Sequence, residues 1–499
     1  MSDSSSGRTG DRAVRLVVVG GGISGLVAAW RLVQAHGPAA QVLVLESSAR
    51  VGGKLWAGPV GDVTVDLGAE SMLARRPEAV GLLTELGLDD EVVHPRAASA
   101  AVVSRGGLHP LPPGTVMGVP VDRTRLPALA GILDPDEVAR AGQESGVPGE
   151  RLPEDVDVAS WVASRVGRAV VDRLVEPLLG GVYAGNSARL SLQATIPQLW
   201  QRARGGRPLL ETRPPATQTT QTNQTTPAVS GPVFAGLRGG VGRLPLILAE
   251  RLEKAGAEVR TGVTVRGLTR TPTGWRLETG PASGPEFIEA DGVVLAVPAA
   301  PAARLLADVV PVAAHELAQV ETASVAVVAA AVPREQLTGL TGTGLLVPPV
   351  EQRQIKAATF SSNKWRWVSD EQSAEHLVVR LSLGRAREEA ALQRDDADLT
   401  ELALADLREI TGRDVRPAET RVVRWGGALP QYQVGHLDRV QRIREAVAGA
   451  PGLAVCGAVY DGVGIPACVA AAGRAVHDLQ TSMRTRVEGP RDRQERIEE

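Results

Sequence analysis

The sequence is poor in the residues that make several functions easy to recognise. It has two cysteines, Cys456 and Cys468. That is too few for a disulfide framework or a thiolate metal site, so both are expected to be small buried apolar residues in a reducing compartment. Seven histidines show no ligand spacing, so no metal is expected. No Ser/His/Asp or Cys/His set suggests a nucleophile. Aromatic residues are 3% of the chain, a compositional bias without meaning for the fold. A net charge of −3 gives no chain-wide basic field, which argues against a nucleic-acid binder. Long apolar runs are also missing. The most apolar region, Gly292 to Ala314, is interrupted by Pro298, Arg304, Asp308 and Pro311, well short of the ~18 apolar residues that suggest a membrane helix. Residues 1–12 are rich in Ser and Gly and lack the apolar centre of a signal peptide. A cytoplasmic protein without a transmembrane segment is expected; peripheral membrane contact stays open.

What the chain does have is concentrated between Val14 and Lys54. A short apolar run enters Gly20, Gly22 and Gly25, in GxGxxG spacing with Gly21, Ile23 and Ser24 between them. A helical run and a second apolar run ending on Glu46 follow. Glycines in this pattern serve a tight turn, close approach to a pyrophosphate, and helix–strand packing. The helix N-terminus offers unpaired N–H groups to phosphate, and an acid about 20 residues on can accept from a ribose hydroxyl. A dinucleotide site is therefore expected. Just past the acid, Arg50, Gly52, Gly53 and Lys54 form a second glycine-basic turn, suited to the long central section of FAD.

At 499 residues the chain needs two or three domains. The expected fold class is α/β: a Rossmann-type FAD-binding domain, a second mixed-sheet substrate domain and a helical subdomain. The discontinuous FAD domain is placed at 14–90, 232–300 and 436–483. The substrate domain is placed at 91–125 and 301–435, and the helical subdomain at 126–204. Residues 1–13, 205–231 and 484–499 are expected to be disordered. The middle segment contains a Thr/Gln/Pro-rich stretch, TRPPATQTTQTNQTTPAVSGP, too poor in large apolar groups to offset its ordering entropy. No internal repeat is visible.

The ESSARVGGK turn resembles that of the amine oxidase and protoporphyrinogen oxidase flavoproteins. Further stretches narrow the likeness: GGLHPLPPGTVMGVP, EPLLGGVYAGNSARLSLQATIPQL, ALPQYQVGH and GAVYDGVGIPACV, in that order. They resemble the FAD-dependent protoporphyrinogen and coproporphyrinogen oxidases of haem synthesis, most closely the bacterial soluble branch. The resemblance implies six-electron oxidation of coproporphyrinogen III to coproporphyrin III, with oxygen as acceptor and hydrogen peroxide as by-product. Protoporphyrinogen IX is the alternative substrate, and another amine-oxidase-type activity ranks lower. Only Tyr460 is available as one wall of the aromatic cage that an amine oxidase would want. A ferrochelatase contact, and monomer against dimer, are left open.

The resemblance also implies roles for residues. The Gly20–Gly25 turn, Glu46 and Ser47 would hold the ADP half of FAD; Arg50, Gly53 and Lys54 the central section. Gly68, Ala69, Glu70 and Ser71 would pass near the isoalloxazine ring. Val265 would meet the adenine, and Trp425 would flank the ring. Gly457, Val463, Gly464 and Ile465 would close over the far end. Leu178, Val182, Thr343 and Leu346 would line the substrate pocket, and Arg75 and Arg76 would bind propionates. No residue is assigned a certain catalytic role, because the flavin does the chemistry; Glu70 is the one candidate for a proton role. Relatives in the mitochondrial branch carry arginines where this chain has Glu70 and Ala100, so propionate anchoring is expected to differ.

Overall fold

The computed structural model describes residues 13–96, 100–144, 151–212, 232–373 and 375–487. The opening strand, Val14–Val19, lies at the centre of a five-stranded parallel sheet. The order across it is Glu258–Arg260, Ala40–Leu45, Val14–Val19, Gly292–Leu295, Leu453–Val455. A parallel sheet covered on both faces needs strands that are apolar throughout. The opening strand meets that need: Leu16 and Val18 enter one apolar cluster, Val17 and Val19 the other. The first cluster packs the helices Ile23–His36, Leu244–Lys254 and Ile465–Val487. The second packs Ala299–Leu306, Pro311–Ala318 and His436–Ala448. This corrects one boundary: residues 301–320, expected in the substrate domain, bury their apolar faces on the dinucleotide sheet. Val92–Val93 moves in the same direction, because it pairs with Gly236 and Leu237 beside that sheet's helices.

A second sheet has seven strands, ordered Glu419–Pro430, Thr322–Pro333, His376–Leu383, Ile355–Thr359, Gly344–Leu346, Ala101–Ser104, Gly107–Pro110. Gly344–Leu346 and Ala101–Ser104 run parallel; the other pairs are antiparallel. The helix Asp396–Thr411 covers one face with Leu399, Ala403, Leu404 and Leu407. It starts on the side-chain cap of Asp395 and ends on the left-handed Gly412, as its sequence signals require. The two sheets together give the expected architecture.

The third unit is helical. It runs from Pro135–Gly142, which opens on an Asp134–Glu137 capping box, through Val158–Val166 and a π-helical turn, Val171–Val175, into Glu176–Tyr183. Leu192–Thr195 and Pro197–Arg204 complete it. Residues 205–212, expected to be disordered, pack here instead. Leu209 and Leu210 are buried in the helical core, and both backbone N–H groups donate to the Glu144 carboxylate. Two leucines at the edge of a polar run were enough to anchor it. Residues 213–231, with the Thr/Gln tract, lie outside the described residues, as do 1–12 and 488–499. The last helix reaches Val487, beyond the expected end of order at 483. Among the described residues, no helix is long and apolar enough to cross a membrane, and no group of His, Cys, Asp or Glu could hold a metal.

Candidate active site

Two helix N-termini face one cleft. The first belongs to Ile23–His36. Its cap, Gly22, offers no side-chain bond, so the first-turn N–H groups have no partner within the helix or cap. Three glycines here have distinct physical reasons. A Cβ on Gly25 would lie 1.8 Å from the Gly20 carbonyl oxygen, so Gly25 sets helix–strand packing. A Cβ on Gly21 would strike Glu46 at 2.8 Å. A Cβ on Gly22 would meet nothing within 4 Å, so that glycine leaves open space on the cleft side. The second glycine turn lies against the first: Gly52 N–H donates to the Gly21 carbonyl at 2.8 Å, and Gly22 bridges Gly52. Glu46 accepts from Gly21 N–H at 2.7 Å, and from Ser48 N–H at 2.8 Å and hydroxyl at 2.7 Å. These bonds orient its carboxylate at the strand end; Ser47 lies exposed beside it.

The second N-terminus belongs to Ile465–Val487, entered through Gly457, Val463 and Gly464. It packs along the first helix, and the Cys456 thiol approaches the Ser24 carbonyl at 3.9 Å. Lys54 rises from the second glycine turn into this space. Its surface is open, yet the surrounding protein desolvates it enough to lower its ammonium pKa. An accessible cation beside the uncapped start of Ile23–His36, and near Cys468 in the last helix, fits a polyanionic pyrophosphate. The residues present therefore fit FAD.

Arg50 has contacts of its own within the turn and across to the second sheet. Its guanidinium donates to the carbonyls of Val51 at 3.1 Å and Gly53 at 2.9 Å, and lies 4.7 Å from the Trp56 ring centre and 5.6 Å from that of Trp425. It braces the turn and ties it to the second sheet. Trp425 donates through Nε1 to the Leu67 carbonyl at 3.1 Å, and its ring lies 3.1 Å from where Gly68 would carry a Cβ. It stands against the Gly68–Ser71 turn. Val265 lies half-buried in the connector between Glu258–Arg260 and Gly267–Arg270, beside the sheet cluster.

The Gly68–Ser71 turn borders the cleft through Ala69, whose N–H donates to the Lys54 carbonyl at 3.0 Å. From the substrate side, Arg380 donates to the Gly68 carbonyl at 2.5 Å and sits 3.4 Å from Glu70. Lys364 lies 3.0 Å from the same carboxylate, and the Ser361 hydroxyl donates to it at 2.6 Å. Burial opposes charge on Glu70, but Lys364, Arg380 and Ser361 outweigh it and bring its pKa down to about 2. Asp66, four residues earlier, is buried against the N–H groups of Val241 and Gly242, and burial pushes it up to about 7. Arg380 and Trp56 were missed by sequence reading. The signal for Arg380 was present: a single charge inside the apolar strand HLVVRLSLG.

The structure gathers most of the apolar pocket candidates. Leu178, Val182, Leu346 and Val463 meet in one cluster, which brings the cleft's closing loop against the helix Glu176–Tyr183. Thr343 is half-buried beside it and accepts from Phe360 N–H at 2.9 Å through its carbonyl. Arg76 is held by Glu78 through two guanidinium nitrogens. Arg75 precedes it on the approach to the helix Pro77–Glu85, which packs on Ile465–Val487. All three tyrosines are buried. Tyr432 supports the closing loop instead of lining a cage: its hydroxyl donates to the Ala458 carbonyl while its ring stacks on His436.

The family profile described as flavin containing amine oxidoreductase matches residues 23–480. Coproporphyrinogen III oxidase of Mycobacterium leprae is 39% identical over 480 residues, covering 93% of this chain and 98% of its own. That of Bacillus subtilis is 31% identical, covering 94% and 99%. Human protoporphyrinogen oxidase is 30% identical, covering 91% and 96%. Among solved structures, a candidate protoporphyrinogen oxidase of Exiguobacterium sp. 255-15 superposes with a TM-score of 0.80 at 32% identity, covering 94% and 99%. Putrescine oxidase, at 16% identity and a TM-score of 0.64, shares the fold alone.

Proposed function

The chain belongs to the flavin-containing amine oxidoreductases, whose cofactor is FAD, and from that premise we propose that it oxidises coproporphyrinogen III to coproporphyrin III in haem synthesis. Oxygen is the acceptor, hydrogen peroxide the by-product and the cytoplasm the setting. The observation that carries this reading is near-full-length identity of 39–40% to mycobacterial proteins of that activity. The apolar wall supports it. Leu178, Val182 and Leu346 suit the flat face of a macrocycle, and Val463 joins them to the cleft's closing loop.

When bound, FAD supplies the hydride-accepting chemistry. The chain's residues supply placement. The start of Ile23–His36 and Lys54 hold the pyrophosphate, and Gly22 leaves room for it. Arg380 and Trp425 fix the Gly68–Ser71 turn from the substrate sheet. The start of Ile465–Val487 favours negative charge at the far end of the cleft. Glu70, held ionised by two cations, is a weak base, so its role is to keep those cations in place. Arg75 and Arg76, on the approach to the helix Pro77–Glu85, are the proposed propionate contacts, with the Arg76 guanidinium oriented by Glu78. The test is to load the full chain with FAD and offer coproporphyrinogen III and protoporphyrinogen IX separately. Porphyrin fluorescence is expected to rise faster with the first. Faster oxidation of the second would reassign the substrate, and oxidation of neither would overturn the reading.

A further inference from the structure

The helix Glu176–Tyr183 has a second face, turned away from Leu178 and Val182. Glu176, Pro177 and Gly180 lie on it and border a cavity of about 150 Å³. Two cations reach this cavity. Lys356, on the strand Ile355–Thr359, is 5% exposed, and its Nζ donates to the Gly384 carbonyl at 2.9 Å. Arg385 directs its guanidinium to the carbonyls of Arg353, Val347 and Ile355 at 3.1–3.3 Å. Among the described residues, neither forms an ion pair with a carboxylate. The acids lining the cavity are engaged elsewhere or lie at its mouth. Glu176 accepts from the N–H and hydroxyl of Ser187. Asp172 is paired with Arg168 at 2.7 Å. Glu388 is exposed at the rim. An ammonium buried beside a guanidinium with no carboxylate in contact is unfavourable. Burial, then Arg385, lower the Lys356 pKa to about 7. Glu388, Asp406 and Glu176 act on Arg385 only at longer range, so neither cation has a carboxylate in direct contact.

We propose that this cavity binds a small monocarboxylate, held by Lys356 and Arg385 behind the porphyrinogen wall. Its lining shares no residue with the cofactor cleft or with the Leu178–Val182 face. An anion here would brace the helix from behind. The site does not depend on the activity proposed above, because its test needs no porphyrinogen.

Acetate is the probe. With the FAD-loaded full chain at neutral pH and constant ionic strength, the melting temperature is expected to rise saturably with acetate, while chloride and inorganic phosphate produce no saturable rise. In Lys356→Met the acetate response is expected to vanish, with flavin content unchanged and the acetate-free melting temperature no lower than wild type. Should that variant fail to fold, chemical acetylation of Lys356 in the wild-type protein gives a second readout: saturating acetate is expected to slow it at least about tenfold. A wild-type response that matches chloride or phosphate, a saturable response retained in Lys356→Met, or labelling unaffected by acetate would each overturn the proposal.

Discussion

Gly22 and Gly25 share one motif and are glycines for unlike reasons. At Gly25 a methyl group would overlap the Gly20 carbonyl; at Gly22 it would enter open space. Gly25→Ala is therefore expected to lower the melting temperature of the cofactor-free protein, because the helix must leave the strand. Gly22→Ala is expected to leave that temperature unchanged and to weaken FAD binding at least about tenfold, on the order of 1.4 kcal/mol. Melting without FAD and a fluorescence titration with FAD separate the two effects. Glu70 gives a second residue-scale test. Its pKa lies near 2 against an ordinary 4.5, so its stabilisation is complete above pH 4.5 and is lost as pH falls toward 2. Glu70→Gln is expected to cost about 3 kcal/mol at pH 7, because Lys364 and Arg380 lose their buried partner. Urea titrations from pH 3 to 7 should show the wild type losing part of this advantage at the acid end. Asp66 acts in the opposite sense. Its raised pKa contributes stability at low pH that disappears as pH rises through about 7, so the two acids need separate variants. The geometry predicates no proton role for Glu70, and the pH profile of kcat in Glu70→Gln should keep its shape.

At the scale of elements, the opening strand–turn–helix was legible because one local pattern, glycines between an apolar run and a helical run, encodes the whole unit. Several strands of the second sheet were legible for a similar reason: Thr322–Pro333 and Gly344–Leu346 are apolar runs bounded by turn residues, and His376–Leu383 is one broken by a single arginine. Boundaries between domains were not. The helices Ala299–Leu306 and Pro311–Ala318 are apolar on one side whichever sheet they cover, and only the three-dimensional path of the chain decides which. The Glu70 cluster was illegible for the same reason: Lys364 and Arg380 lie about 300 residues away from Glu70 in sequence. The strand Glu419–Pro430 carries the joint between the two sheets' territories. Its pairing with Thr322–Pro333 slips between Ala323 and Val325, opposite Trp425. Such an irregularity re-aims a side chain, and here the indole reaches Leu67. Trp425→Phe is expected to cost about 1 kcal/mol through the lost hydrogen bond. It should also weaken FAD binding without altering the far-ultraviolet circular dichroism.

Over the whole molecule, the cofactor cleft is built from elements far apart in the chain, so FAD and folding are linked. Melting with increasing FAD is expected to shift upward, by about 4 kcal/mol of stability at a free concentration 1,000 times Kd. A single cooperative transition is expected when loaded. Two resolved transitions with FAD present would show that the cleft does not couple the dinucleotide sheet to its neighbours.

The placement of the strand Leu453–Val455 and the loop from Gly457 bears on how the protein is made. The opening strand emerges first, but its neighbour Gly292–Leu295 arrives hundreds of residues later, and Leu453–Val455 later still. At about 5–20 residues per second of synthesis, the nascent glycine motif waits tens of seconds for its sheet to be completed. Until Gly292–Leu295 arrives, an apolar strand edge stays exposed on the ribosome, and aggregation risk persists through that interval. A chain halted before Gly457 would carry every glycine of the opening motif and still capture no flavin.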